Sequence, residues 1–192
     1  MSYFRSRRKG RVYVEMPAFS AMLLADLARQ LIELLSDGEM TDAADVDPLE
    51  ELVAMDVPRE PPSDPALLRL LPDARTDDAE ANAEFRRFTE KGLRQAKIDA
   101  ASVVVRSIGE LDPDSATGEA AVEFELSRDD ARAWMRCLTD LRLTLSARLE
   151  LSADDDEETW LALPEDDPRG SLYRIYGWLG YQLESLLEAV QH

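Results

Sequence analysis

Few side chains in this sequence have the types and spacing that catalysis or metal binding requires. The 192 residues contain one histidine, His192, and one cysteine, Cys137. A nucleophilic triad needs a histidine base held in place, and a histidine at the end of the sequence is expected to fray. A structural zinc site needs about four Cys or His ligands. The sequence therefore predicts no enzyme and no metal or cofactor, although carboxylates acting with a divalent metal remain an alternative.

The segment Glu84–Arg87, with Phe88 after it, places two arginines between two phenylalanines. We expect Phe85 and Phe88 to be buried, so that Arg86 and Arg87 project to either side of an apolar stripe. Arginine forms paired hydrogen bonds with carboxylates. Two interpretations follow: the arginines hold the chain's own acids, or they form a docking face for an acidic partner or a phosphate.

A second pair of charges lies beside the predicted apolar stripe of Trp134, Leu138 and Leu141. Asp140 and Arg142 flank that stripe. Such a pair either fixes the register of neighbouring helices or forms part of a recognition site. The candidate partner-binding residues are therefore Arg86, Arg87, Asp140 and Arg142.

A β-hairpin is predicted at residues 1–16, with strands at 3–7 and 11–15. Gly10 is suited to the left-handed conformation that a tight turn needs. Five of the seven residues at 5–11 are basic. Such a cluster attracts nucleic acid or a membrane surface, or it neutralises acidic residues of its own chain.

Four long segments have apolar residues at the spacing of amphipathic helices. They begin near Pro17, Asp78, Ser127 and Pro168. Ser127 and Asp130 have the spacing of a capping box, with Asp in place of Glu. A short strand is predicted at 119–126, where apolar and acidic residues alternate. The predicted fold class is mainly α: a bundle of about four long helices with an N-terminal β-hairpin.

The chain is strongly acidic, with a formal net charge of −18. Residues 36–80 carry three basic and fourteen acidic side chains, and 37–64 is predicted to be a mobile acidic loop in one domain spanning 1–192. No apolar run approaches the roughly 20 residues of a membrane span. One cysteine fits a reducing compartment. We therefore expect a soluble, cytoplasmic protein with no membrane partner, and nucleic acid is disfavoured by the charge.

Three strings carry a resemblance to a known family: 67–97, 131–151 and 173–190. The most specific parts are EFRR at Glu84–Arg87 and LTDLRL at Leu138–Leu143. Together they resemble an uncharacterised actinobacterial domain-of-unknown-function family encoded beside the ClpS-type adaptor of the Clp protease. The resemblance implies a link to regulated proteolysis or to sulfur-carrier metabolism, and it carries no catalytic residues.

The predicted function is that of a non-enzymatic protein–protein interaction or regulatory module with a protein partner, for which the resemblance suggests a Clp component. A homodimer is left open, because wide apolar stripes are able to pair between copies. The alternative is a DNA-binding transcriptional regulator that uses the basic hairpin.

Overall fold

The computed structural model describes residues 3–36, 61–74, 78–109, 120–152, 160, 162–164 and 166–191. Within these residues the fold is mainly helical with one small antiparallel sheet, which confirms the predicted fold class. Most of the predicted acidic loop, residues 37–60, lies outside the described residues. The assignment of 1–192 to one domain stays a prediction.

The sheet has three antiparallel strands in the order β1 (Phe4–Arg7), β2 (Arg11–Pro17) and β3 (Ala121–Leu126). The predicted hairpin is present, with Arg7 opposite Arg11. Gly10 has the predicted positive φ, +70°, and Lys9 also has φ of 65°. The predicted strand near 119–126 pairs with β2, with Val12 opposite Leu126. The hairpin thereby gains the third strand that such sheets need for stability.

Five α-helices occur within the described residues: α1 (Ala18–Ser36), α2 (Pro65–Leu70), α3 (Ala79–Ile108), α4 (Arg128–Arg148) and α5 (Pro168–Gln191). Asp78 caps α3 by accepting a hydrogen bond from the backbone N–H of Ala81 at 2.9 Å. Ser127 and Asp130 form the predicted capping box of α4. These caps satisfy N–H groups that would otherwise lack partners in the first turn. No helix of the described residues is both long and apolar enough to cross a lipid bilayer.

The core lies between the inner face of the sheet and the long helices. Helix α3 packs against α1 and α4, and α4 also packs against α5 and α2. Trp134 of α4 is fully buried, and its ring meets Phe4 and Phe124 of the sheet at centroid distances of 6.0 and 5.6 Å. Its indole N–H donates to the Ser107 hydroxyl of α3 at 3.3 Å. This one residue therefore joins the sheet to two helices.

The predicted burial of Phe85 and Phe88 is wrong. Their side chains are 39% and 68% exposed, whereas Arg86, between them, is 3% exposed. The N-terminal half of α3 is rotated relative to the prediction, because polar residues on its other face form ion pairs in the interior. The C-terminal half follows the usual pattern and buries Ala101, Val104 and Ile108.

Candidate interaction surface

Four buried polar residues occur at four-residue intervals along α3: Asn82, Arg86, Glu90 and Arg94. Each is at most 8% exposed. Residues four apart lie on one face of a helix. The inward face of this half of α3 is therefore polar, and its solvent side mixes exposed Phe85 and Phe88 with charged residues such as Glu84 and Lys91.

The buried polar face is held by charge-assisted hydrogen bonds. Arg94 donates from Nε to Glu90 Oε1 at 2.9 Å and from a terminal nitrogen to the Leu35 carbonyl at 3.0 Å. Arg86 donates to Asp73 Oδ1 at 3.0 and 2.7 Å. A second terminal nitrogen of Arg86 lies 3.7 Å from Glu90 Oε2. These contacts tie α3 to the last turn of α1 and to the segment after α2.

Of the two arginines predicted to bind a partner, Arg86 is committed to Asp73 and Glu90 of its own chain. For Arg86 this matches the first of the two interpretations, in which the arginine holds acids of its own chain. Arg87 is half-buried, and its guanidinium carbon lies 4.4 Å from the ring centroid of Phe88. Arg87 therefore lies at the edge of the outward apolar face and supports one of its aromatic rings.

The outward face of α3 exposes three large apolar side chains. Phe85, Phe88 and Leu93 are 39%, 68% and 40% exposed. We call these three residues the aromatic face. Gly92 lies on the same side of the helix, and a Cβ atom there would meet nothing within 4 Å. Neighbouring exposed aromatic rings are candidates for contact with another molecule.

An open groove between α3 and α4 begins where the aromatic face ends. Its volume is about 410 Å³. Three residues of α3 and four of α4 line it: Leu93, Ala96, Lys97, Met135, Arg136, Thr139 and Asp140. Leu93 belongs to both sets, but at about 100° per residue it lies about 140° around the helix from Phe88, so the two phenylalanines flank this α3–α4 groove and do not line it.

Asp140, predicted as a site residue, lies in the wall of the groove. Lys97 Nζ donates to Asp140 Oδ1 at 2.6 Å, and their side chains are 20% and 6% exposed. Burial raises the pKa of the Asp140 carboxyl above its ordinary value, and the Lys97 ammonium offsets only part of this effect. The groove therefore combines apolar walls with one ion pair that is partly removed from water.

Arg142, the fourth predicted residue, points away from the groove toward α5. Its guanidinium carbon lies 4.7 Å from the Tyr176 ring centroid, and a terminal nitrogen donates to the Tyr176 hydroxyl at 3.2 Å. A Cβ atom at Gly180 would lie 3.3 Å from the same guanidinium. Arg142 thus fits a slot that Gly180 leaves open, and it joins α4 to α5.

The structure places the four predicted site residues in different surroundings. Arg86 lies in the buried polar face, Arg87 beside the aromatic face, Asp140 in the groove and Arg142 against α5. Sequence reasoning missed Leu93, Met135 and Arg136. Their helical spacing was visible, but the pairing of α3 with α4 that brings them together was not.

The described residues offer little for redox or metal chemistry. Cys137 is buried, and burial raises the pKa of its thiol to about 12, with a smaller effect of the nearby Asp140 carboxylate. Among the described ranges, no group of three or more His, Cys, Asp or Glu side chains is arranged to hold a metal ion. The surface formed by α3 and α4 is therefore the strongest candidate site in this part of the chain.

These features define a mainly helical protein with a small antiparallel sheet and an open groove between two of its long helices. The chain belongs to the family described as Domain of unknown function (DUF2017), whose model matches residues 1–190. Proteins named "Oxidative stress regulator AosR" from Mycobacterium bovis and two strains of Mycobacterium tuberculosis are 32% identical to it over 181 residues. The match covers 87% of this chain and 76% of each relative. No solved structure matches the chain.

Proposed function

We propose that this chain is a non-enzymatic cytoplasmic regulator of the response to oxidative stress. It acts by binding a protein partner through the aromatic face and the α3–α4 groove. The regulatory role is taken from the printed name of the mycobacterial relatives. The mode of action is inferred from the surface itself.

One observation carries the proposal: the N-terminal half of α3 buries three charged side chains and exposes two aromatic ones. Phe88 is 68% exposed, while Arg86, Glu90 and Arg94 are each at most 4% exposed. Exposing an aromatic ring while burying ion pairs is unfavourable for the isolated chain. Covering the aromatic face by a partner would recover part of that free energy.

The groove also indicates what kind of partner fits. Helix-in-groove recognition uses an amphipathic helix whose apolar side chains recur at three and four residues. Arg136 is exposed at the rim and makes no ion pair with any described residue. A partner helix with apolar anchors for Leu93 and Met135, and a carboxylate for Arg136, therefore matches this surface.

The resemblance adds a finer proposal, that the partner is a component of the Clp system such as the ClpS-type adaptor. No contact of the described residues singles out that protein. A second copy of this chain is a further candidate. Both are testable with purified proteins.

Phe88→Ser tests the proposal, and Phe19→Ser is the matched control. Phe19 lies on α1 and is 63% exposed, close to the value of Phe88. Tagged wild type and both variants are used to capture proteins from a lysate of oxidant-treated cells of the organism that encodes this chain. We expect Phe88→Ser to lose at least one captured protein that Phe19→Ser retains.

Direct binding then identifies the partner class. Calorimetry with the purified adaptor tests the Clp proposal, and sedimentation of the chain alone tests the second copy. If every protein that wild type captures is also captured by Phe88→Ser, the aromatic face is not the binding surface and the proposal fails.

The rival function is a DNA-binding regulator that uses the hairpin. A net charge of −18 opposes contact with an extended polyanion outside any local basic patch. This rival predicts a mobility shift that weakens steeply with salt and is insensitive to Phe88→Ser.

A further inference from the structure

The turn of the hairpin lies beside the first residue of α4, 118 positions later in the sequence. A Cβ atom at Gly10 would lie 3.5 Å from Nε and 3.9 Å from the guanidinium carbon of Arg128. The register of β2 with β3, Val12 opposite Leu126, brings the start of α4 to this end of the sheet. Arg8 and Lys9 precede Gly10 in the same turn, so these two residues and Arg128 belong to one end of the sheet, and we call the three the cationic end.

The carboxylates near the cationic end are already paired with other arginines. Glu125 accepts from Arg11 at 2.9 Å. Asp129 pairs with Arg132 at 3.3 Å, and Asp130 lies 3.9 Å from Arg106. The three acids pair with three different arginines, so each acid has its own cation.

The three members of the cationic end have no such partner. Within the described residues, Arg8, Lys9 and Arg128 make no ion pair and no cation–π contact with an aromatic ring. Arg7, next to them, lies 4.8 Å from the centroid of Tyr13 and has no described carboxylate either. This end of an acidic molecule therefore carries an excess of positive charge.

Two of these cations stand where the local backbone disfavours them. Lys9 has φ of 65°, in the left-handed region that suits glycine or asparagine better than lysine. Arg128 is the first residue of α4, where the partial positive charge of the helix dipole favours acids over bases. Two neighbouring residues thus depart from the residue types that their backbone positions favour, and no contact among the described residues compensates. Such departures are typical of a functional site.

We infer that the cationic end binds an acidic segment of a partner protein. An acidic segment of a few residues would meet the excess cations and gain charge-assisted hydrogen bonds to the arginines. Duplex nucleic acid is the less favourable polyanion, because it carries a charge about every 1.7 Å and would extend over the rest of a molecule with net charge −18. This site is separate from the α3–α4 groove and does not depend on it.

A fluorescent decaglutamate peptide tests the inference by anisotropy at low salt, in parallel with a duplex DNA oligonucleotide. The variants are Lys9→Gly and Arg128→Glu. Lys9→Gly removes a charge and relieves the positive φ, and Arg128→Glu reverses a charge that the helix dipole disfavours. Both variants should therefore fold at least as stably as wild type. We expect each to weaken peptide binding about threefold to fivefold, which is the range of single exposed ion pairs.

Two controls make the result specific. Arg29→Glu changes an exposed arginine on α1 that pairs with Asp26, and Phe88→Ser changes the aromatic face. Both should leave peptide binding within about twofold of wild type, since neither touches the cationic end.

Three outcomes would overturn the inference. The first is no peptide binding at low salt. The second is equal weakening by Arg29→Glu, which would indicate a non-specific charge effect. The third is tighter binding of the duplex than of the peptide, which would indicate that the cationic end binds DNA. None of them affects the test of the aromatic face, because that test is scored on Phe88→Ser.

Discussion

Cys137 limits how this chain can respond to an oxidant. It is the only cysteine of the 192 residues, so no disulfide forms within them. Its side chain is buried and the pKa of its thiol is raised to about 12. The thiolate is the reactive form of cysteine. A response to oxidants through the Cys137 thiol would therefore require unfolding that exposes it.

We predict that Cys137 in the native protein resists alkylation. At mildly alkaline pH its thiolate fraction is on the order of a thousandfold below that of a free cysteine. Iodoacetamide labelling followed by mass measurement, with and without urea, checks this. Rapid labelling without urea would contradict the burial of the thiol.

The pKa of Asp140 makes a prediction about stability and pH. Burial raises it above the ordinary value of 3.8. The folded protein then binds this proton more readily than the unfolded chain, so the contribution of Asp140 to stability falls as pH rises from 3.8 through the folded pKa. Asp140→Asn does not titrate, so its unfolding free energy relative to wild type should rise between about pH 4 and pH 7.

Asp64→Asn is the control with the opposite sign. The hydrogen bonds from Arg148 and from the backbone N–H of Ala66 outweigh the effect of burial and lower the pKa of Asp64. This carboxylate therefore stabilises the fold above its unfolded pKa and loses that effect as pH falls. Urea titrations across the pH range measure both slopes. Equal slopes for the two variants would contradict the assignment.

At the scale of elements, the inverted half of α3 depends on its buried ion pairs. Arg94→Ala would leave Glu90 buried without its main partner and the Leu35 carbonyl without a donor. Breaking a buried pair in this way costs about 3 kcal/mol. Arg29→Ala breaks the exposed pair with Asp26 and should cost less than about 1 kcal/mol. Denaturant unfolding measures both losses, and similar small losses would show that the polar face is not structural.

Two glycines of α5 make a matched pair. A Cβ atom at Gly177 would meet nothing within 4 Å, whereas one at Gly180 would lie 3.3 Å from the guanidinium of Arg142. Gly177→Ala should therefore raise the unfolding free energy by about 1 kcal/mol, the helix propensity difference. Gly180→Ala should gain less or lose stability, because Arg142 must move from Tyr176. Equal increases in stability of the two variants, measured by thermal unfolding, would contradict the close contact between Gly180 and Arg142.

Local sequence signals predicted the elements well. The capping box of Ser127 and Asp130, the turn at Gly10 and the four long helices depend on neighbouring residues, so the sequence alone was enough. The inverted face of α3 was not predictable in this way. Both the apolar and the polar residues of that segment recur at helical spacing, and only the ion pairs with Asp73 and with the Leu35 carbonyl decide which face turns inward.

At the scale of the whole molecule, both candidate sites combine residues far apart in the sequence. Lys97 meets Asp140 across α3 and α4, and Arg128 meets the turn at Gly10 through the sheet. Sequence reasoning found Asp140 and the basic hairpin, but it had no signal for the partners that complete each surface. The resulting molecule is acidic overall, with a largely apolar groove and a separate cationic end.

The most direct test of the central claim is site-specific photo-crosslinking under oxidative stress in living cells of the organism that encodes this chain. A benzophenone amino acid replaces Phe88 in one variant and Phe19 in the other, since both side chains are exposed to a similar degree. We predict a discrete crosslinked protein from position 88 and none of the same mass from position 19. The same product from both positions, or none from position 88, would contradict the assignment of the aromatic face and the α3–α4 groove as the binding surface.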